Sequence, residues 1–283
     1  MRSVSQDREH LEEGVKRAVR QRCGFGCVIC GSPVYDYDHI RGYATTGHDA
    51  DWITLLCPEH HREKTAGRMP QAVAEEANRN PHNKSTDSGK AMPLYFSGAV
   101  FSVEFGSVCV RHTLEAGAAR STCILVDGMT VVGVRRVEHR ILVTANLRDS
   151  DNQPVLTIRD GELRHSTAVW DVVTEGQGLK IRQAEGDIYL EMRFLPPDRV
   201  VISRAKMWAN GVLIEVTRDG DLRFENSQNV FRRGTFVQGG FKVGLDISER
   251  SGVLLQLPDP PRFLGGLPEG GLPVLKRWRL DLK

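Results

Sequence analysis

The sequence predicts an α+β protein, in which a small N-terminal domain of two strands and a helix precedes a larger all-β domain, sandwich-like or barrel-like. Three observations support this prediction. Paired cysteine and histidine residues are concentrated in 27–61, a polar stretch with almost no apolar content covers 78–90, and short apolar runs separated by turn residues fill 93–257. We therefore expect one domain at 1–77, a linker at 78–92 and a β domain at 93–283.

Length and charge exclude some classes of protein. The 283 residues are enough for two modest domains. The sequence has no apolar run of about 18 residues and no signal-type N-terminus, so the expected location is the cytoplasm, away from membranes. The net charge of +2 gives no overall signature of polyanion binding, which would need a local patch. A solvated helix face is the favoured interpretation of the candidate patch. The patch contains Lys16, Arg17, Arg20, Arg22, Arg41, Arg62, Lys64 and Arg68.

The elements of the first domain follow from local patterns. Apolar residues at helical spacing predict an amphipathic helix over 7–22. The turn Gly31-Ser32-Pro33 is predicted to join two short strands within 27–40, and 41–50 is rich in loop residues. The apolar stretch 51–56 leads to Cys57, after which Pro58 is suited to the first position of a helix through Lys64. A further helix is predicted over 70–77.

The β domain is predicted from apolar runs and turn signals. Asp160-Gly161 and Asp219-Gly220 each follow an alternating strand within similar sequences, which predicts two hairpins and suggests two related halves. A last strand is expected at 274–282. The other predicted strands lie at 99–105, 123–126, 141–145, 155–158, 188–194, 200–203, 212–217 and 241–245.

The spacing of four ligand-type residues predicts a structural zinc site. Cys27 and Cys30 form one close pair, and Cys57 and His60 form a second, as in sites where a small fold closes around Zn²⁺. Cys23 is a rival ligand, but its spacing from Cys27 is wider. The six cysteines are too few for a disulfide scaffold in a chain of this length.

Neighbouring histidines on one helix must face different surroundings. Successive residues of a helix point about 100° apart, so His60 and His61 cannot both face the zinc. We therefore expect His61 to face the Asp38-His39 pair.

Together these motifs resemble the HNH, or ββα-metal, endonuclease family, in its subgroup with a Cys-x-x-Cys zinc site. The resemblance covers roughly 17–67. It implies that Cys27, Cys30, Cys57 and His60 hold the zinc, that Asp38 and His61 hold a catalytic divalent cation, and that His39 is the general base. The implied activity is hydrolysis of DNA phosphodiester bonds, and similar two-domain proteins suggest a role in restriction or antiphage defence.

The chemistry of these residues agrees with that assignment. An imidazole can take a proton near neutral pH, and a bound cation can offset charge that develops on the leaving oxygen. A carboxylate favours Mg²⁺, and an added imidazole extends the choice to Mn²⁺, Ni²⁺ or Zn²⁺. Arg41, Arg62 and Lys64 are candidate phosphate contacts, with a solvated surface position as the alternative for each.

The chain departs from the family pattern at Trp52, which stands where the family usually has an Asn that fixes the loop carrying the catalytic histidine. Asp51, His48 and Asp49 are candidates for that role. The departure favours an alternative hypothesis, a degenerate HNH zinc module that binds nucleic acid or protein without catalysis. A third hypothesis makes the β domain the functional core, which binds a ligand or protein and has the nuclease as its output. Otherwise the expected role of the β domain is recognition, regulation or oligomerisation. A homodimer would let a chain with one site cut both strands.

Overall fold

The computed structural model describes residues 11–86, 89–90, 92, 94–113, 120–165, 169–224, 230–231, 234–238, 243–247 and 255–256. The chain divides into two compact units. The first contains Met1–Met92 together with Glu162–Arg164 and Trp170–Gly176, and the second contains the remainder. The predicted α+β class with a larger β domain is confirmed.

The first unit has the order helix, strand, strand and helix, followed by two further helices. Helix α1 is an amphipathic helix that ends at a left-handed Gly24, and Pro58 begins α3 as predicted. The elements are α1 Glu13–Cys23, β1 Asp36–His39, α2 Tyr43–Thr46, a 3-10 turn Ala50–Trp52, β2 Ile53–Leu56, α3 Pro58–Thr65, α4 Gln71–Arg79 and α5 His82–Thr86.

The predicted pairing of strands in this unit needs correction. The segment at Cys27 is not a strand but a tight turn, in which Gly31 N donates to Cys27 O at 2.8 Å and Cys27 N donates to Ser32 O at 2.8 Å. The two strands are instead β1 and β2, which pair antiparallel across the intervening loop, with His39 opposite Ile53. The loop itself holds α2 and the 3-10 turn. Two glycines and a proline near the turn favour local hydrogen bonds over a ladder.

The tight turn at 27–32 is called the cysteine turn below. The apolar core of the first unit lies between α1, this turn and β2. All four residues of β2 are buried. The residues that form this core are Leu11, Val19, Cys23, Cys27, Val28, Ile53, Leu55, Leu56 and Cys57. Because two of its members are predicted zinc ligands, the metal site is built into the core rather than attached to its surface.

The stretch predicted as a linker also differs. Residues 82–86 form α5, and the side chain of Asn83 is buried and donates to Gly24 O at 2.9 Å. His82 N also donates to Val28 O at 3.0 Å. The chain up to Met92 therefore belongs to the first unit. A polar composition predicted a linker, but here the Asn83 side chain satisfies the Gly24 carbonyl at the end of α1, and the His82 backbone satisfies the Val28 carbonyl.

Gly31 is required by both its backbone and its surroundings. Its φ is +73°, and a Cβ placed there would lie 2.6 Å from His82 Cδ2 and still closer to Asn83 Oδ1. We expect Gly31→Ala to lower the free energy of unfolding by about 2 to 4 kcal/mol, from left-handed strain plus overpacking. Gly67→Ala is the matched control, because Gly67 has the same φ of +73° with open space around it. In urea unfolding, equal losses for both variants would show that the contact with Asn83 contributes nothing.

The second unit consists of strands that alternate between buried and more exposed residues, as in Arg140–Arg148 and Arg199–Ala209. The strands of the second unit, together with β10 and β11 that lie largely in the first, are β3 Leu94–Tyr95, β4 Val100–Phe105, β5 Val108–Thr113, β6 Arg120–Val126, β7 Met129–Val137, β8 Arg140–Arg148, β9 Pro154–Arg159, β10 Glu162–His165, β11 Asp171–Glu175, β12 Gly178–Ala184, β13 Asp187–Leu195, β14 Arg199–Ala209, β15 Val212–Val216, β16 Leu222–Phe224, β17 Val230–Phe231, β18 Gly234–Gln238, β19 Val243–Ile247 and β20 Leu255–Gln256.

The strands of the second unit pair mainly as antiparallel neighbours. The series β6 to β9 and the series β12 to β16 are both antiparallel meanders. Parallel pairs join β4 with β14, β5 with β18 and β6 with β19. The strands predicted between 99 and 217 are all present in the described residues, with shifted ends. Of the strand predicted at 241–245, positions 241 and 242 lie outside the described residues, and the rest belongs to β19.

The two predicted Asp-Gly turns differ from each other. Asp160 and Gly161 have φ of 51° and 81° between β9 and β10, as a two-residue hairpin turn requires. Asp219-Gly220 lies in a wider turn, in which Thr217 N donates to Asp221 O at 2.9 Å. The strand predicted at 274–282 lies outside the described residues. Within the described part of the chain, no helix has both the length and the apolarity needed to cross a membrane.

Candidate metal centre and the adjoining carboxylate–histidine cluster

The four predicted zinc ligands come together from two elements. Cys27 and Cys30 lie on the cysteine turn, while Cys57 precedes α3 and His60 lies in its first turn. The turn is held against β2 because Val28 N donates to Leu55 O at 3.0 Å. One ligand atom of each residue lies within 4.8 Å of all the others, so the cluster could hold a metal ion.

The donor distances fit zinc. Tetrahedral zinc with Zn–S bonds of about 2.3 Å and Zn–N bonds of about 2.0 Å requires separations of about 3.8 Å between sulfurs and about 3.5 Å between sulfur and nitrogen. Cys30 Sγ and Cys57 Sγ are 3.8 Å apart. His60 Nδ1 lies 3.4 Å from Cys27 Sγ and 3.2 Å from Cys57 Sγ. Three thiol groups and one imidazole are a donor set typical of structural zinc.

Burial of the cysteine sulfurs affects how readily the cluster binds a metal ion. Burial raises the pKa of the Cys27 thiol to about 12. A metal ion must therefore displace a proton from Cys27 to bind there. Cys23, the rival ligand, lies outside the cluster, since its Sγ faces Thr54 Oγ1 at 3.8 Å and Asn78 Oδ1 at 3.7 Å.

Helix α3 separates its two histidines as its geometry predicts. His60 enters the metal cluster, and His61 faces the carboxylates of β1. His61 Nε2 lies 3.5 Å from Asp38 Oδ1, and His61 Nδ1 lies 3.4 Å from Asp36 Oδ2. Asp36 and Asp38 are two residues apart on a strand, so both side chains point to the face where α3 packs. Together with Lys64 these residues form what we call the carboxylate–histidine cluster.

Lys64 and His39 are in contact at this cluster, Lys64 through its ammonium group and His39 through its backbone carbonyl. Lys64 Nζ lies 2.6 Å from Asp38 Oδ2 and donates to the backbone carbonyl of His39 at 3.0 Å. The His39 ring packs against Tyr43 and His48, with centroids 5.5 and 5.6 Å away. The structure thus brings Asp38 and His61 together, whereas His39 is tied to them through its backbone.

The loop between β1 and β2 is held by residues that the sequence prediction did not identify. The Arg22 guanidinium donates to Ala50 O at 2.6 Å and also to Ile53 O. Asn78 Nδ2 donates to Asp51 O at 3.3 Å, and Asn78 Oδ1 accepts from Arg22 at 3.3 Å. These contacts span 27 to 56 positions in sequence, so no local pattern indicates them.

Trp52 and the three residues considered as substitutes for a loop-fixing asparagine, Asp51, His48 and Asp49, have distinct positions. Trp52 lies under the Arg41 guanidinium, 3.6 Å from its ring centroid. Asp49 caps the 3-10 turn by accepting from Asp51 N at 3.0 Å. His48 packs on the His39 ring, 5.6 Å between centroids. Of these candidates, His48 contacts the predicted base directly.

The predicted phosphate contacts differ in availability. Arg41 stacks on Trp52 and pairs with Glu75 at 2.9 Å, and Lys64 is engaged by Asp38. Arg62 is exposed on α3. The candidate basic patch on α1 is divided as well, because Arg20 is buried and paired with Asp171 while Arg17 lies over Trp170 at 4.4 Å.

Asp36 was also missed at the level of sequence, although a signal was present. A strand that places Tyr35, Tyr37 and His39 on one face must place Asp36 beside Asp38 on the other.

No family model matches this chain, and neither a curated protein nor a solved structure matches it. The chemistry of the site therefore rests on its residues and their geometry.

Proposed function

We propose that this chain is a metal-dependent endonuclease that hydrolyses DNA phosphodiester bonds. The observation that carries the proposal is the split between neighbouring residues of α3, with His60 at the metal cluster and His61 at Asp38. A scaffold metal at the first would fix the helix that presents the second. The family resemblance of these motifs supports DNA as the substrate and extends the proposal to restriction or antiphage defence.

Asp38 Oδ1 and His61 Nε2 would hold the proposed cation. Their separation of 3.5 Å is close to the roughly 3.0 to 3.4 Å expected between two donors with bonds of about 2.1 Å to one ion. A carboxylate with an imidazole suits Mg²⁺, Mn²⁺ or Ni²⁺. When bound, such a cation would offset charge on the phosphate, and two protein ligands leave other positions for phosphate oxygens and water.

The roles of the protein groups follow from their contacts. His39 is proposed to take the proton from the attacking water, because a neutral imidazole can act as a base near neutral pH. Its backbone is held by Lys64, and its ring is packed by Tyr43 and His48. Asp36 orients His61, since a hydrogen bond that Asp36 accepts from Nδ1–H leaves the Nε2 lone pair free to hold the cation.

We expect His39→Ala to lower the rate of plasmid cleavage with Mg²⁺ or Mn²⁺ by about 10² to 10⁴-fold, because a general base contributes that much. The measurement is cleavage of supercoiled plasmid, with zinc content checked for each protein. His139→Ala is the matched control, since it removes an exposed histidine in the second unit.

Two results would contradict the proposal. Cleavage that His39→Ala leaves unchanged would remove the assigned base. A native protein that cleaves neither strand with Mg²⁺, Mn²⁺ or Ni²⁺, yet binds DNA or a protein, would favour the alternative of a zinc module without catalysis.

A further inference from the structure

Lys64 has an unusual environment for a lysine on a short surface helix. Only 15% of its side chain is exposed, and the Asp38 side chain that it faces is 10% exposed. Its ammonium group donates to Asp38 Oδ2 at 2.6 Å and to His39 O at 3.0 Å. A fixed ammonium with two oxygen acceptors is a built feature of the site rather than a solvated charge.

This contact divides the two oxygens of Asp38 between different partners. Oδ2 is held by Lys64, while Oδ1 faces His61 Nε2. A carboxylate without such a partner could bind a cation through both oxygens. With Lys64 in place, Asp38 offers a cation one oxygen, and a positive charge lies on the far side of the same carboxylate.

We propose that Lys64 is a positioning residue that also acts as a resident competitor for the cation, keeping cation affinity low until a polyanion occupies the site. This inference rests on the proposed function and adds to it an order of events. A positive charge beside the cation opposes its binding, most strongly where little water screens the two. Phosphate groups of a bound nucleic acid offset that repulsion, so the cation and the nucleic acid bind cooperatively.

Opposite changes in two measurable quantities distinguish this role from a structural one. Removing the charge should strengthen cation binding in the absence of DNA, because repulsion is lost and Oδ2 is released. The same change should slow cleavage, because His39 O loses the ammonium donor of Lys64 while the bond from Gly42 N remains. Loss of a purely structural contact would weaken both.

The test is a titration of zinc-loaded protein with Mn²⁺, without DNA, followed by electron paramagnetic resonance or calorimetry. We expect Lys64→Met to bind Mn²⁺ at least about tenfold more tightly than the native protein. Lys64→Arg, which keeps the charge, should stay within about threefold of native. Lys84→Met is the matched control, because it removes an exposed lysine elsewhere in the first unit. Should Lys64→Met fail to fold, Lys64→Gln removes the charge while keeping a donor.

The outcomes separate the two proposals. Mn²⁺ binding that is unchanged or weaker in both neutral variants overturns the role of Lys64, even where the native protein cleaves DNA. A native protein whose Mn²⁺ binding does not respond to Asp38→Asn overturns the cation site and the inference with it. Tighter binding in Lys64→Met with slower cleavage supports both.

Discussion

Removal of zinc is expected to unfold the first unit of the chain. The cluster of Cys27, Cys30, Cys57 and His60 joins the cysteine turn to α3, and two of its sulfurs lie within the apolar core. Structural zinc contributes on the order of 10 kcal/mol or more to small domains of this kind. We expect a strong chelator, or Cys57→Ser, to abolish most helical circular dichroism and to make 11–92 sensitive to protease.

A control separates zinc loss from the general effect of losing a thiol. Cys109→Ser removes a partly buried cysteine of the second unit and should keep about one zinc per chain. A Cys57→Ser protein that retains full zinc content and protease resistance would show that the cluster does not hold a structural metal.

The same site should lose zinc as the pH falls. Burial raises the pKa of Cys27 to about 12 in the ion-free site, so the proton and the metal compete for this sulfur throughout the neutral range. Lower pH favours the proton, and zinc affinity therefore falls with pH.

The second large effect is expected at Arg20. Arg20 is 1% exposed. Its guanidinium donates to both oxygens of Asp171 at 2.8 Å. It also donates to Glu13 at 2.6 Å and to Tyr37 Oη at 2.8 Å. Arg20→Met would remove the cation that pairs with the buried Asp171 carboxylate. We expect the free energy of unfolding of the first unit to fall by about 3 to 5 kcal/mol, measured by urea unfolding.

Two further variants test the reason for that loss. The double variant Arg20→Met with Asp171→Leu should recover most of the stability, because replacing a buried pair by apolar side chains is often neutral. Arg17→Met, which removes a cation from the face of Trp170, should cost no more than about 1 kcal/mol. A loss below about 1 kcal/mol for Arg20→Met alone would mean that water reaches Asp171 in the variant.

The zinc cluster could be predicted from sequence because its information is local. Two ligand pairs at short spacing, a proline at a helix start and the 100° between adjacent helical residues were enough to place His60 and His61 on different sides. The β domain was predictable for a similar reason, since alternation along each strand is a local property.

Other features depended on contacts that span the chain. The partner of Arg20 lies 151 positions away, so α1 gave no sign that one of its charges is buried. Asn83 belongs to a polar stretch, and only its bond to Gly24 O shows that the stretch packs. Lys64 was predicted as a phosphate contact because its neighbours are basic, whereas the Asp38 carboxylate is its partner.

The contribution of residues 170–176 to the first unit has a consequence for modularity. A fragment ended at Met92, where composition changes and a gene fusion would naturally be cut, would leave Asp171 behind and deprive Arg20 of its buried carboxylate partner. Recombination that exchanged the N-terminal 92 residues between proteins would separate the same pair. The first unit is therefore not portable by itself, and its inheritance is linked to a strand encoded far downstream.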